Sequence, residues 1–181
     1  MNPAKSPRAV LLDRDGVLVE PVVREGRPYP PEGPGNLKIY PDAPDALARL
    51  KDAGFLLVIV TNQPDVIRGN KARAEIEAVN AIVMARLPID DIFVCWHDDA
   101  DGCACRKPKP GLLLQAAARY GIDLPASFLI GDRWRDVDAG AAAGCRTILI
   151  DRHYREPEPS AIPDFRAVSL AEAAEWILKT E

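Results

Sequence analysis

Six consecutive apolar residues, Phe55 to Val60, leave this chain few architectures to choose from. A strand with one wet face alternates apolar and polar residues, whereas an unbroken apolar run bounded by Gly54 and by Thr61-Asn62-Gln63 reads as buried on both faces. Shorter runs of the same kind recur, and the pattern predicts strands at 8–12, 55–60, 91–96, 127–130 and 146–150. Helical periodicity fills the gaps, at 43–53, 71–86, 110–120, 136–143 and 169–179. Strand alternating with helix predicts an α/β fold built on a doubly wound parallel sheet. Residues 21–44 break the rhythm with seven prolines plus Gly26, Gly33 and Gly35, which predicts a long ordered loop beside the first strand. Residues 155–164, rich in Pro and Glu, bridge to a last helix within 165–181. At 181 residues a single domain over 1–181 is expected, with no room for a large inserted cap domain.

Charge narrows the function. With 23 basic against 27 acidic residues the net charge is −4, which argues against nucleic-acid binding by general electrostatics. Residues 1–8 are polar and no apolar stretch approaches a membrane span, so no leader and no membrane partner are expected. A cytoplasmic location follows as an expectation, and a monomer in the absence of any heptad pattern. Four cysteines in that setting suggest metal or free thiols ahead of disulfides.

Polar motifs follow the apolar runs. After Ala9 to Leu12 come Asp13 and Asp15, two apart, so on an extended segment both carboxylates face one volume of space. Gly16 then permits a sharp turn. Two carboxylates so placed repel one another unless a divalent cation lies between them, although alone the pattern also describes a turn or helix cap. Thr61-Asn62-Gln63 offers a hydroxyl and amides for phosphoryl oxygens, or a polar turn closed by Pro64. Arg106 and Lys107 lie in a stretch stiffened by Pro108 and Pro110, which holds cations suited to phosphate; a solvated basic turn fits equally. Gly131-Asp132 closes a fourth run, and Asp132 reaches the cation of Asp13 if the two strands are neighbours. Asp136 either orients Asp132 or caps the following helix. Asp138 reads as a first-turn acid favourable to the helix dipole.

A separate cluster lies at 95–105. Cys95, His97, Cys103 and Cys105 supply three thiolates and one imidazole, a closed tetrahedral set suited to a structural Zn²⁺. Free thiols or a Cys103/Cys105 redox pair are the competing readings. Cys105 is bonded directly to Arg106, so a metal here would aim both cations of the basic stretch. Cys145 reads as core.

In this order, Asp-x-Asp, Thr, Lys and Gly-Asp-x-x-x-Asp, the chain resembles the haloacid dehalogenase superfamily of phosphatases from about residue 8 to residue 150. The resemblance implies a Rossmann-like sheet and a nucleophile, Asp13, that forms a phospho-aspartyl intermediate. It makes Asp15 the acid and then the base, and gives Mg²⁺ the side chains of Asp13 and Asp132 with the backbone carbonyl of Asp15. Thr61 and Lys107 complete the catalytic set. Asp-Arg-Asp-Gly, Thr-Asn-Gln, the zinc loop and Cys-Arg-Lys-Pro are similar to a subgroup that includes heptose 1,7-bisphosphate and histidinol-phosphate phosphatases. The chain looks most like the first. Substrate contacts implied in this way are Arg14, Asn62, Gln63, Arg106 and Arg133, and the implied partner is a small phosphorylated sugar. Pro64-Asp65 stands where the subgroup commonly has Ser-Gly, and the gap between His97 and Cys103 is shorter than in many members. These differences bear on specificity. An inactive, zinc-stapled binding module is the reading from another class, and it would predict decay in at least one motif.

Overall fold

The computed structural model describes residues 6–180, so the first five residues and Glu181, the ends of the expected domain, lie outside the described residues. In chain order the strands and helices are β1 (Ala9–Leu12), β2 (Val22–Arg24), β3 (Arg27–Tyr29), α1 (Ala43–Asp52), β4 (Leu56–Asn62), α2 (Arg73–Arg86), β5 (Asp91–Cys95), α3 (Gly111–Tyr120), β6 (Phe128–Gly131), α4 (Trp134–Ala143), β7 (Arg146–Ile150), β8 (Phe165–Ala167) and α5 (Leu170–Lys179). Among the described residues, no helix is long and apolar enough to cross a membrane.

Six parallel strands form the sheet in the order β5-β4-β1-β6-β7-β8. The chain builds outward from β1 through β4 to β5, then returns to the other side of β1 for β6, β7 and β8. That reversal puts the topological switch point beside β1, where the carboxyl ends of the strands open a crevice. The doubly wound reading holds.

Alternation along β1 shows why both faces must be apolar. Val10 and Leu12 join a core cluster with residues of α1, α2 and α5, while Ala9 and Leu11 join a second one with residues of α3 and α4. All four are 0% exposed. A polar residue at any of these positions would lose water on either face without finding a partner.

Two segments differ from the sequence expectation. The proline-rich stretch contains a hairpin, β2 against β3, closed by Glu25 and Gly26 with φ of 53° and 77°. Positive φ at both turn residues matches the type I′ turn that suits strand twist. The segment before the last helix also adds β8 to the sheet edge. Helix α4 begins two residues earlier than expected because the Asp136 carboxylate accepts from Arg133 N at 3.1 Å and caps it.

Candidate active site

Asp13 leaves β1 with its backbone N–H still donating to Ile130 O of β6 at 2.9 Å, which ties the first motif to the strand that ends in Asp132. Two glycines make the close approach possible. A Cβ on Gly16, whose φ is +91°, would lie 1.7 Å from Asp132 Oδ2, and one on Gly131 would lie 2.1 Å from Asp136 Cβ. Without them the carboxylates could not converge.

Lys107 sits in the middle. Its Nζ donates to Asp13 Oδ1 at 2.9 Å, to Asp136 Oδ1 at 2.5 Å and to Val60 O at 2.8 Å. An ammonium has three donors, so the set is complete. Burial works against this charge, but Asp13 and Asp136 more than offset it, and the lysine pKa lies above its ordinary value. Asn62 fixes the backbone beneath: its amide donates to Lys107 O at 3.0 Å and accepts from Lys107 N at 3.1 Å.

Asp13, Asp132 and Asp136 are all buried, with carboxylate oxygens within 4.8 Å of one another. Burial pushes Asp13 up to about 6 against the pull of Lys107, and holds Asp132 well above the ordinary carboxylate range. Neither oxygen of Asp132 has a hydrogen-bond partner. The Tyr154 phenol is close enough to sense that charge, and burial together with Asp132 raises its pKa. A buried carboxylate with the Tyr154 phenol beside it but no hydrogen bond of good geometry on either oxygen is costly, and a hard cation with oxygen ligands relieves it. Asp136 has both oxygens engaged, by Lys107 and Arg133 N, which leaves Asp13 and Asp132 free to ligate. Of the two roles open to Asp136 from its sequence position, orienting Asp132 or capping, the structure shows the cap of α4, and the same carboxylate anchors Lys107. The Asp15 side chain lies outside that cluster.

Asp13, Asp15, Thr61 and Lys107 line one cavity of about 740 Å³. Asn62, Gln63, Arg106 and Arg133 line it too, each already held by the protein. Gln63 donates to both Asp15 Oδ2 and Thr61 Oγ1 at 2.9 Å, which leaves the threonine hydroxyl hydrogen free to donate. Arg106 reaches Asp99 Oδ1 at 2.9 Å, and Arg133 pairs with Glu156 through its Nε at 2.9 Å. Arg14 is not brought to the cavity. It is 0% exposed and turned to Asp15 and Asn80, so the expected substrate contact is a buried neighbour of one.

Four partners of the site are absent from the sequence analysis: Asn80, Arg152, Tyr154 and Glu156. Arg152 donates to Gly16 O at 3.0 Å. Only Asn80 had a signal, as a polar residue spaced from Ile76 and Val83 to share their inward face.

The second cluster is compact. Sγ–Sγ separations among Cys95, Cys103 and Cys105 are 3.2, 3.4 and 3.7 Å, and His97 Nδ1 lies 3.6 and 3.3 Å from the sulfurs of Cys95 and Cys105. A tetrahedron with metal–sulfur bonds of about 2.3 Å has edges of roughly 3.8 Å, so these four atoms could hold a metal ion. Arg68 and Arg106 brace the intervening turn through Asp98 and Asp99.

Comparison with known proteins agrees with this geometry. A family model described as haloacid dehalogenase-like hydrolase matches residues 31–144, a span that includes Thr61, Lys107 and Asp132. The D-glycero-beta-D-manno-heptose-1,7-bisphosphate 7-phosphatase of Bordetella bronchiseptica is 36% identical over 148 residues, covering 79% of this chain and 80% of that protein. The Escherichia coli protein of the same name is 32% identical over 189 residues, covering 98% and 91%. A crystal structure of D,D-heptose 1,7-bisphosphate phosphatase from B. bronchiseptica, complexed with magnesium and phosphate, superimposes with a TM-score of 0.80 at 31% identity, covering 96% of this chain and 99% of that one. Matched by that family model over more than half its length, and by phosphatases over most of it, the chain belongs to the haloacid dehalogenase-like hydrolases and is a phosphatase among them.

Proposed function

We propose that the chain removes the 7-phosphate of a heptose 1,7-bisphosphate through a phospho-aspartyl intermediate on Asp13. The observation that carries the chemistry is Lys107 joined to Asp13 beside Asp132, whose two buried oxygens are unpaired. An Asp13 oxygen attacks phosphorus and the bond from phosphorus to the sugar oxygen breaks. Asp15 gives its proton to that oxygen. Water then attacks the same phosphorus and passes a proton to Asp15; the acyl phosphate bond breaks, freeing inorganic phosphate and Asp13. Splitting the displacement in two is the use of a covalent carboxylate. Lys107 and the Thr61 hydroxyl steady the negative charge that spreads over the transferring oxygens.

Asp13 and Asp132 would hold Mg²⁺, with the backbone carbonyl of Asp15. Bound there, the ion offsets repulsion between the nucleophile and a dianionic phosphate. Zn²⁺ suits Cys95, His97, Cys103 and Cys105, where four protein ligands leave no open position and the role is structural.

Charge in the cavity favours a bisphosphate. More cations than carboxylates line it, although the whole chain is at −4. Arg68, Arg106, Arg133 and Arg135 are paired with carboxylates, whereas Arg27 and Arg155 have no anionic partner among the described residues. These two are free to take the distal phosphate. Histidinol phosphate, whose amine would seek carboxylates, fits this lining less well.

A phosphate-release panel with Mg²⁺ tests the reading, comparing both anomers of heptose 1,7-bisphosphate with histidinol phosphate. Preference for a heptose anomer is expected, with release abolished by Asp13→Asn. Faster release from histidinol phosphate would overturn the substrate and leave the catalytic roles standing.

A further inference from the structure

We propose that Arg14, itself fixed by Asn80 of α2, is the positioning residue of Asp15, and that this network rather than the backbone sets where the acid/base proton is delivered. The inference rests on the acid/base role of Asp15 given above.

Arg14 is among the largest fully buried side chains of the protein. A guanidinium does not shed its proton, so a buried one must find anions and acceptors. Arg14 finds its anion in Asp15 and a neutral acceptor in Asn80. Its Nε donates to Asp15 Oδ1 at 3.0 Å and its Nη2 to Asp15 Oδ2 at 2.8 Å, a bidentate grip that fixes both the position and the plane of the carboxylate. Gln63 Nε2 adds a donor to Oδ2 at 2.9 Å.

Three of the roughly four acceptor sites on a carboxylate are thereby taken, and the one left over is on Oδ1. Asp15 lines the cavity with a side chain 17% exposed, so the remaining site is what it can present to a leaving oxygen or a water. The third side of the guanidinium is closed by Asn80 Oδ1, which accepts from Arg14 Nη1 at 2.7 Å across 66 residues of sequence. Ile76, Val79 and Val83, on the same side of α2, are buried in the core. The position of that helix is therefore relayed to the proton-transfer group through two side chains.

A misplaced acid costs most when the leaving oxygen is a poor one. An alkoxide must be protonated as it departs, whereas a nitrophenolate leaves unaided. The experiment compares kcat/KM for heptose 1,7-bisphosphate and for p-nitrophenyl phosphate in the full-length, metal-loaded enzyme. This constant reports phosphoryl transfer to Asp13 and not the later hydrolysis. Asn80→Ala and Arg14→Lys are each expected to lower the sugar-to-aryl ratio of kcat/KM by about tenfold or more, part of the roughly 10²–10⁴-fold an acid supplies. Asn80→Asp keeps an acceptor for Arg14 and is expected to restore the ratio. Asp15→Asn is the reference and must lower it furthest.

If Asp15→Asn leaves the ratio unchanged, the acid role fails and the inference with it. Should Asp15→Asn lower it while folded Asn80→Ala and Arg14→Lys reduce both substrates in parallel, the acid role stands and the network is merely structural. Asn80 is only half-buried, so the first variant tests the relay even if Arg14→Lys does not fold.

Discussion

Asp132 is where single-residue chemistry and stability pull apart. The residue is 5% exposed, and its carboxylate is fully buried, lies against the Cα of Gly16 and has no hydrogen bond of good geometry on either oxygen. Removing the charge should help the fold and harm the reaction. Asp132→Asn is expected to raise the melting temperature in magnesium-free buffer, by a stability gain on the order of 1–2 kcal/mol, while abolishing phosphate release. A lower melting temperature without magnesium would show that the carboxylate is satisfied after all. Asp13, Lys107 and Asp132 were legible in the sequence because each stands at or just beyond an apolar run. Arg14 was misread for a reason also in the sequence. The alternation that sends Asp13 and Asp15 to one side sends the residue between them elsewhere. Asp136 could be settled only in three dimensions, since its two oxygens serve a lysine 29 residues away and the cap of its own helix.

Among elements, the loop from Cys95 to Cys105 does the aiming, and it acts on its two neighbouring cations unequally. Arg106 is held by loop groups, Asp99 Oδ1 at 2.9 Å and His97 O at 3.3 Å, whereas Lys107 is also clamped by Asn62 of β4. Loss of the zinc proposed for this loop should therefore loosen Arg106 first. Chelating that zinc, or substituting Cys105→Ser, is expected to raise KM several-fold before kcat falls, and to lower the melting temperature. A primary loss of kcat would mean that the metal governs Lys107 instead. The five long strands and all five helices were readable because apolar runs and helical periodicity are local signals. The hairpin of β2 and β3 was not: each strand has three residues, and Pro28 and Gly26 read as loop. Equally hidden was the segment after β7, where Arg152, Tyr154 and Glu156 are brought to Gly16, Asp132 and Arg133 only by the closing of the sheet.

On the scale of the whole molecule, an acidic protein keeps a cation-rich cavity at the point where its sheet reverses direction. The loops that follow β1, β4, β5 and β6 supply the phosphate-facing groups, and the β2–β3 hairpin with the segment after β7 supplies the outer wall. Arg155 belongs to that wall by two contacts: its N–H donates to Gly26 O at 2.8 Å, and its side chain packs where a Cβ on Gly26 would stand. Arg27 follows the same turn. Both are exposed, so each is worth the lower end of a charge-assisted hydrogen bond, about 1.5 kcal/mol or close to tenfold in affinity. Replacing both by alanine is expected to lower the preference for heptose 1,7-bisphosphate over heptose 7-phosphate by one to two orders of magnitude. The loss should fall mainly in KM for the bisphosphate and shrink as salt rises, since exposed charges are screened. Equal losses on the two substrates would place these arginines at the transferred phosphate, and an unchanged preference would return the distal site to Arg68, Lys71 or Arg135. The size of the preference in the unaltered enzyme decides the matter beforehand: a cavity that does not favour the bisphosphate has no distal site to find.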